Sequence, residues 1–148
     1  MKPEIATHSN PAWRDEADFL IAAELDPEAC RQEQLWAKKM APQEFKLCCI
    51  PFFTYGYALG DVVETTCDYV IIKRIISSGR KLVRFWLRNT TEDARRRFIE
   101  LLNEREVLSE ARGNLIAVDF SNEFEYNEFM MKFEKDFADT NICIEDAG

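Results

Sequence analysis

The chain has 148 residues, of which 47% are hydrophobic and 31% charged, and these values exclude a disordered or a membrane-embedded chain. Its net charge is −8, which disfavours nucleic acid as a partner and favours a basic protein. The length predicts one compact unit. No apolar run approaches the roughly 20 residues that span a bilayer, so we expect no membrane association.

The first segment, residues 1–14, reads as a flexible N-terminal arm. It contains Pro3 and Pro11, which interrupt regular secondary structure, and its apolar residues repeat at neither the helical nor the strand period. The lone histidine, His8, lies in this segment, where a histidine is usually incidental to function. The segment has no apolar stretch of the secretory type, so we expect a cytoplasmic location.

Residues 15–80 form a β-rich region, because short apolar or β-branched runs alternate with Pro- and Gly-marked turns. This spacing predicts a small antiparallel β-barrel or a curled sheet. The strand-like runs are ADFLIAAEL (Ala17–Leu25), EQLWAKK (Glu33–Lys39), FKLCCI (Phe45–Ile50), VVE (Val62–Glu64) and YVIIKRIIS (Tyr69–Ser77).

Residues 81–148 are predicted to contain both strands and helices, in the order strand, helix, strand, strand, helix, strand. Thr91 and Asn122 are N-cap candidates for the two helices, which we expect to end near Glu104 and Phe137. This order predicts a ferredoxin-like βαββαβ unit and gives the whole chain an α+β fold. The predicted core stripes of the helices are Ala94, Phe98, Leu101 and Leu102, and Tyr126, Met130, Phe133 and Phe137.

The cysteine content predicts no disulfide framework and no metal site. There are five cysteines, an odd number, and no two have C-x-x-C spacing. We expect reduced thiols that are mostly packed as small hydrophobic side chains, and no cofactor.

Three segments, EQLWAKK, FKLCCIPFF and YALGDVVE, occur in an order and spacing that resembles the uncharacterised bacterial family "domain of unknown function 4265". The resemblance extends from about Phe19 to Glu145, and IPFF…ALGD is its most specific part. It implies the same two-part fold and carries no catalytic residues over to this chain. By analogy of class, it suggests a role in bacterial toxin–immunity systems.

The residues do not assemble an obvious catalytic set, so we expect no enzyme. The chain lacks the nucleophile-elbow, Walker and dinucleotide-binding glycine motifs. The densest carboxylates are Asp61, Glu64 and Asp68, beside Cys67, but no base is visible that would activate this thiol.

The acidic C-terminal third is the main candidate surface for a partner. The second helix leaves acids outside its core stripe, and the loop after Pro51 offers an exposed aromatic, Tyr55. Phe52, Phe53 and Tyr57 have two open readings, a binding rim or a plug between the two halves. The candidate partner-binding residues are Glu125, Glu128, Asp136, Asp139, Tyr55, Asp61 and Glu64.

Two functions follow from these features. The first is a non-catalytic, immunity-type inhibitor whose carboxylates cover the basic surface of a toxin. The second is a regulatory domain that binds a small ligand and acts as a homodimer. RNA binding is disfavoured, because Asp119 on the predicted third strand of the ferredoxin-like sheet opposes base stacking there.

Overall fold

The computed structural model describes residues 4–146 and contains ten strands in two sheets, with two helices. The predicted α+β class is confirmed. Neither helix within this range combines the length and the apolar character that crossing a membrane requires.

The N-terminal sheet has six strands. They are β1 (Glu4–Ala6), β2 (Phe19–Asp26), β3 (Arg31–Ala41), β4 (Glu44–Leu47), β5 (Val62–Thr65) and β6 (Ile71–Ile76). Strand β3 is long enough to pair with β2 along one edge and with both β1 and β4 along the other. The β1–β3 pair is parallel and the remaining ladders are antiparallel, so the sheet is mixed where a purely antiparallel one was predicted.

The N-terminal sheet bends until β2 approaches the start of β6. The two meet at one isolated bridge, where the Ala22 amide donates to the Tyr69 carbonyl at 2.9 Å. One bridge does not make a ladder, so the strands of residues 4–146 form no closed barrel. Of the two predicted alternatives, the closed barrel is therefore wrong.

Period-two alternation along the strands fills the core of this sheet. On β3 the inward positions are Glu33, Leu35 and Ala37, all with no exposed surface. Leu35 and Ala37 pack with Ile21 and Phe45 in one hydrophobic cluster. Glu33 thus occupies a core position of the alternation although it is charged.

The C-terminal sheet is antiparallel, with the strand order β10-β7-β9-β8. The C-terminal half contains β7 (Lys81–Trp86), α1 (Glu92–Glu104), β8 (Leu108–Arg112), β9 (Leu115–Phe120), α2 (Glu123–Asp136) and β10 (Cys143–Asp146). Both predicted caps are observed: Thr91 accepts from the Ala94 amide at 3.1 Å, and Asn122 accepts from the Glu125 amide at 2.8 Å.

Both helices pack on one face of the C-terminal sheet. The α1 stripe is buried as predicted. On α2 the buried residues are Phe129 and Phe133, whereas Tyr126 and Met130 are only partly buried. The helix is therefore rotated slightly from the predicted stripe. Phe133 still packs on Phe85, with ring centroids 5.2 Å apart, and Phe129 is added to the stripe, 5.1 Å from the Phe120 ring.

The other face of the C-terminal sheet meets the loop that follows β4. Phe52 and Leu59 of this loop pack against Leu82, Leu115 and Ala117 in a third hydrophobic cluster. Phe53 is partly buried beside them. The loop therefore fills the space between the two sheets. Of the two roles that the sequence left open for it, Phe52 and Phe53 take that of a plug between the two halves.

The N-terminal segment is packed on the protein, so the prediction of a free arm is wrong for residues 4–14. Strand β1 pairs with β3, the Trp13 amide donates to the Cys48 carbonyl at 2.9 Å, and His8 is buried. Residues 1–3 lie outside the described residues. The apolar residues of this segment, such as Trp13, provide the contact that anchors it.

The five cysteines are free thiols, but only Cys48 and Cys49 are buried. The expectation that they are mostly packed as small hydrophobic side chains is wrong, because the other three lie at turns or on an edge strand. These exposed thiols are Cys30, Cys67 and Cys143.

Candidate functional site

His8 is held between two glutamates at the join of the two sheets. Its Nε2 lies 2.7 Å from Glu33 Oε2 and its Nδ1 lies 2.6 Å from Glu110 Oε1. Glu33 belongs to β3 and Glu110 to β8, so the imidazole bridges the N-terminal and the C-terminal sheet. The residue is 3% exposed, and its ring stacks on Phe52 with centroids 4.3 Å apart. We call His8, Glu33 and Glu110 the buried charge cluster.

The Glu33 carboxylate accepts hydrogen bonds from three consecutive backbone amides. Those of Phe52, Phe53 and Thr54 lie 2.6, 3.1 and 3.0 Å from its oxygens, and the Thr54 hydroxyl donates at 2.6 Å. Burial alone would raise the pKa of this carboxyl, but His8, Thr54 and the Phe52 amide outweigh it and lower the pKa. Glu33 is therefore a buried anion that fixes the shape of the loop.

Glu110 holds the same loop from the opposite sheet. Its Oε2 accepts from the Ile50 amide at 2.5 Å and from the Ala12 amide at 3.2 Å, while Oε1 faces His8. Both oxygens are thus satisfied without water. The carboxylate ties the loop and the N-terminal segment to β8.

His8 is a buried cation. Burial alone would lower its pKa, but the contacts with Cys49, Glu110 and Glu33 outweigh it and raise the pKa of His8 to about 11. The imidazolium can then donate to both carboxylates at once, which a neutral ring cannot do. Its partners Glu33, Glu110 and Cys49 are all buried.

Arg84, on β7, is a second buried cation and is 1% exposed. Its Nη2 donates to the carbonyls of Pro51 at 3.3 Å and Thr54 at 2.9 Å, so Thr54 links it to Glu33. Two further nitrogens, Nε and Nη1, have no hydrogen-bond partner among the described residues. Burial lowers the pKa of Arg84, and the charges of Glu33 and Glu145 oppose this. The positive charges of His8 and Arg84 are therefore matched by the negative charges of Glu33 and Glu110.

A cleft of about 700 Å³ opens between the sheets beside this region, and we call it the inter-sheet cleft. One wall comes from the first three strands, and the other from β7, β8, β10 and the loop. Its lining residues are Glu4, Ile5, Ala6, Leu25, Asp26, Arg31, Gln32, Phe52, Phe53, Tyr55, Trp86, Arg112 and Glu145.

The lining of the inter-sheet cleft combines aromatic rings with charged groups. Tyr55 and Trp86 supply flat apolar surface, and the Arg112 guanidinium lies 5.9 Å from the centre of the Phe53 ring. The Arg31 guanidinium pairs with Glu4 at 3.0 Å in an exposed ion pair. A volume of a few hundred Å³ with aromatic walls and a few polar groups is typical of a small-molecule site.

Residues 33–136 match the family described as "Domain of unknown function (DUF4265)". The chain belongs to this family. The matched range contains Glu33, Arg84 and Glu110 but begins after His8. No curated protein matches the chain.

Among solved structures, the DUF4265 chain is similar to one described as "Novel crystal structure of a hypothetical protein from Neisseria gonorrhoeae". The TM-score is 0.64 at 19% sequence identity, and the match covers 86% of this chain and 92% of the other. At this identity the likeness concerns the fold alone.

Tyr55 is 63% exposed and lines the inter-sheet cleft of this DUF4265 protein, so the loop presents it at the surface as the sequence predicted. Asp61, in contrast, is 2% exposed and is not available to a partner. Its carboxylate accepts from the amides of Ala58 at 2.9 Å and Ser78 at 2.8 Å, which holds two turns together. Glu64 is half-buried on β5, 4.0 Å from Lys73.

The four acids predicted on α2 and after it differ in their surroundings. Glu125 accepts from the Ser121 amide at 2.8 Å and so belongs to the helix cap. Asp136 pairs with Lys132 at 2.9 Å, and this contact lowers its pKa. Glu128 and Asp139 are exposed on the surface.

The carboxylates considered for catalysis do not come together. Asp61 precedes β5 and is buried, whereas Cys67 and Asp68 follow β5 in an exposed turn at its other end. The strand between them separates the groups, so they form no shared site.

The residues that sequence reasoning missed are His8, Glu33, Glu110 and Arg84. Glu33 carried a signal, because it stands two residues before Leu35 on the inward side of a strand that the sequence predicted. Arg84 carried a weaker one, as a charge within a strand that is buried on both faces. His8 and Glu110 carried none, since their pairing joins residues 102 positions apart.

Proposed function

We propose that this DUF4265 protein is a non-catalytic, cytoplasmic binding protein that takes a small ligand in the inter-sheet cleft. The observation that carries the proposal is the cleft itself, about 700 Å³ between two sheets, with Tyr55, Trp86 and Arg112 in its lining. The free thiols support the cytoplasmic location. A ferredoxin-like C-terminal half is part of the proposal and is supported by the strand order β10-β7-β9-β8.

The rigidity of the join supports binding rather than passive packing. Glu33 and Glu110 fix the loop that carries Phe52, Phe53 and Tyr55, and buried hydrogen bonds hold their carboxylates. A wall held in this way loses little conformational entropy when a ligand arrives.

The Arg112→Glu substitution is expected to weaken ligand binding by about three- to tenfold, because it reverses an exposed charge of the cleft and removes the guanidinium beside the Phe53 ring. The measurement is a thermal-shift screen of metabolites, followed by calorimetric titration of each hit. Arg88→Glu is the matched control, since Arg88 is an exposed arginine outside the cleft lining. Equal affinities in the two variants, or no hit in the screen, would contradict the cleft as the site.

A second candidate, an immunity-type inhibitor of a basic toxin, is favoured by the exposed face of α2. Phe124 and Met131 are 74% and 71% exposed, and they lie seven residues apart on one side of the helix. Exposed Glu128 lies between them. Apolar anchors with carboxylates beside them are features of a surface that binds a basic protein.

Glu128→Lys is expected to reduce capture of a basic protein from the native host by about tenfold at low salt, because it reverses a charge beside the anchors. The measurement is co-purification with mass spectrometry at low and at high salt. Glu104→Lys, an exposed change on α1, is the control. If both variants capture the same protein equally, the α2 face is not the contact surface.

A further inference from the structure

Arg84 has hydrogen-bonding capacity that the protein does not use. Of the five N–H groups of its guanidinium, those on Nε and Nη1 are buried without a hydrogen-bond partner among the described residues. Glu145 Oε1 lies 3.7 Å from Nη1, which is too long for a hydrogen bond. Glu33 cannot supply the missing acceptor, because its oxygens already serve His8, Thr54 and the loop amides.

Arg84 lies behind one wall of the inter-sheet cleft, in contact with two of the residues that line it. The Tyr55 ring lies 5.0 Å from Cζ of Arg84, and the Tyr55 hydroxyl donates to Glu145 at 2.8 Å. Both Tyr55 and Glu145 line the cleft. The next residue on the same face of β7, Trp86, lines it as well.

Glu145 is the part of this wall that can move. Its side chain is 38% exposed, and it lies on the short edge strand β10. It contacts Arg84 only at ion-pair distance, so its displacement breaks no hydrogen bond to the guanidinium. The lost contact with the Tyr55 hydroxyl is replaced by water, because Tyr55 is exposed.

We propose that Arg84 is the anion receptor of the inter-sheet cleft, and that a ligand carboxylate or phosphate takes the place of the Glu145 carboxylate. This inference rests on the proposed function of the cleft. The ligand class is a flat aromatic or apolar body that carries one such anionic group. The body lies against Tyr55 and Trp86, and the anion accepts from Nη1, the guanidinium nitrogen that the Glu145 carboxylate approaches to 3.7 Å.

Arg31 and Arg112 serve a different purpose from Arg84. Arg31 is paired with Glu4, and both arginines are exposed, so solvent and salt screen their attraction for an anion. They raise the local concentration of anions at the cleft entrance. Folding has already removed Arg84 from water, since it is 1% exposed. Its hydrogen bonds to an anion therefore form without the cost of desolvating the cation.

Two-dimensional ¹H–¹⁵N NMR tests the inference with probes that differ only in charge. Benzoate and phenyl phosphate are the anionic probes, and benzamide is the neutral match of benzoate. The Trp86 indole N–H reports occupancy of the cleft, and the Arg84 Nε–H signal, which belongs to the same guanidinium as Nη1, reports the anion contact. We expect both anions to shift both signals in a saturable way, and benzamide to leave the Arg84 signal unmoved. The loss of each signal in Trp86→Phe and Arg84→Lys assigns it.

Glu145→Gln is expected to tighten benzoate binding by about tenfold, because the competing carboxylate is removed. Glu4→Gln is the matched control, since Glu4 is another cleft carboxylate but pairs with exposed Arg31. We expect less than about a twofold change there, as for a screened surface charge. Both substitutions keep the size of the side chain, and the side chains of Glu145 and Glu4 are 38% and 74% exposed.

Two results would overturn the inference, and they are distinguishable. If the anions saturate the Trp86 signal while the Arg84 signal stays unmoved, or if Glu145→Gln and Glu4→Gln change affinity equally, Arg84 is not the receptor and the cleft remains a ligand site. If neither signal moves with either anion, the anion receptor is refuted, and the metabolite screen alone decides whether the cleft binds another class of ligand.

Discussion

Replacing Glu33 by Gln is expected to lower the free energy of unfolding by about 3–5 kcal/mol, because it leaves buried His8 without one of its two counter-charges. The change also weakens the acceptor for three backbone amides and the Thr54 hydroxyl. A domain of this size has a total stability of roughly 5–15 kcal/mol. Glu33→Gln should therefore bring the protein close to unfolding.

Urea unfolding followed by circular dichroism measures this effect. Glu64→Gln is the matched control, because Glu64 is a half-buried glutamate on β5 that lies 4.0 Å from Lys73. We expect that control to stay within about 0.5 kcal/mol of the parent protein. A loss below about 1 kcal/mol in Glu33→Gln would mean that the buried charge cluster does not stabilise the join.

The stability of the protein is expected to fall as pH rises above about 6.5, by about 1.4 kcal/mol per pH unit from this one group. The pKa of His8 is raised from 6.5 to about 11, so above pH 6.5 the unfolded chain releases a proton that the folded protein keeps. The stabilisation is complete below the unfolded pKa and is lost as pH approaches the folded pKa. Glu33 contributes in the opposite sense at acid pH, because its pKa is lowered on folding.

The useful window is from about pH 6.5 to 8.5, because the pKa of Cys48 is raised to about 11 and this thiol adds a slope of the same sign at higher pH. His8 is the single histidine, so its ring signals in ¹⁵N NMR need no assignment. We expect the doubly protonated ring in folded protein at pH 8.5. A neutral ring at that pH, or the same pH slope in His8→Gln, would contradict the buried imidazolium.

The order of the elements could be predicted because each one carries a local signal. Short apolar runs between turns identified the strands around Leu35 and Phe85, and Thr91 and Asn122 marked the helix starts that the structure shows. Strand β1 was missed because three residues are too few to establish a period. Its pairing depends on contact with β3, which is a tertiary effect.

The candidate site could not be predicted in the same way, because its charges are paired across the fold. A histidine near the N-terminus has no local partner, and Glu110 lies 102 residues away. Asp61 shows the opposite error, since a carboxylate beside a glycine turn looked exposed but closes the turn through backbone amides. Tyr55 was placed correctly because its neighbour, Gly56, marks a surface turn with φ of 84°.

The most direct test of the account is a crystal structure of the protein with the screened compound that raises its melting temperature most. We predict that the compound lies in the inter-sheet cleft, in contact with Trp86 and Arg112. A compound bound on the α2 face beside Phe124, or at any site outside the cleft, would contradict the account.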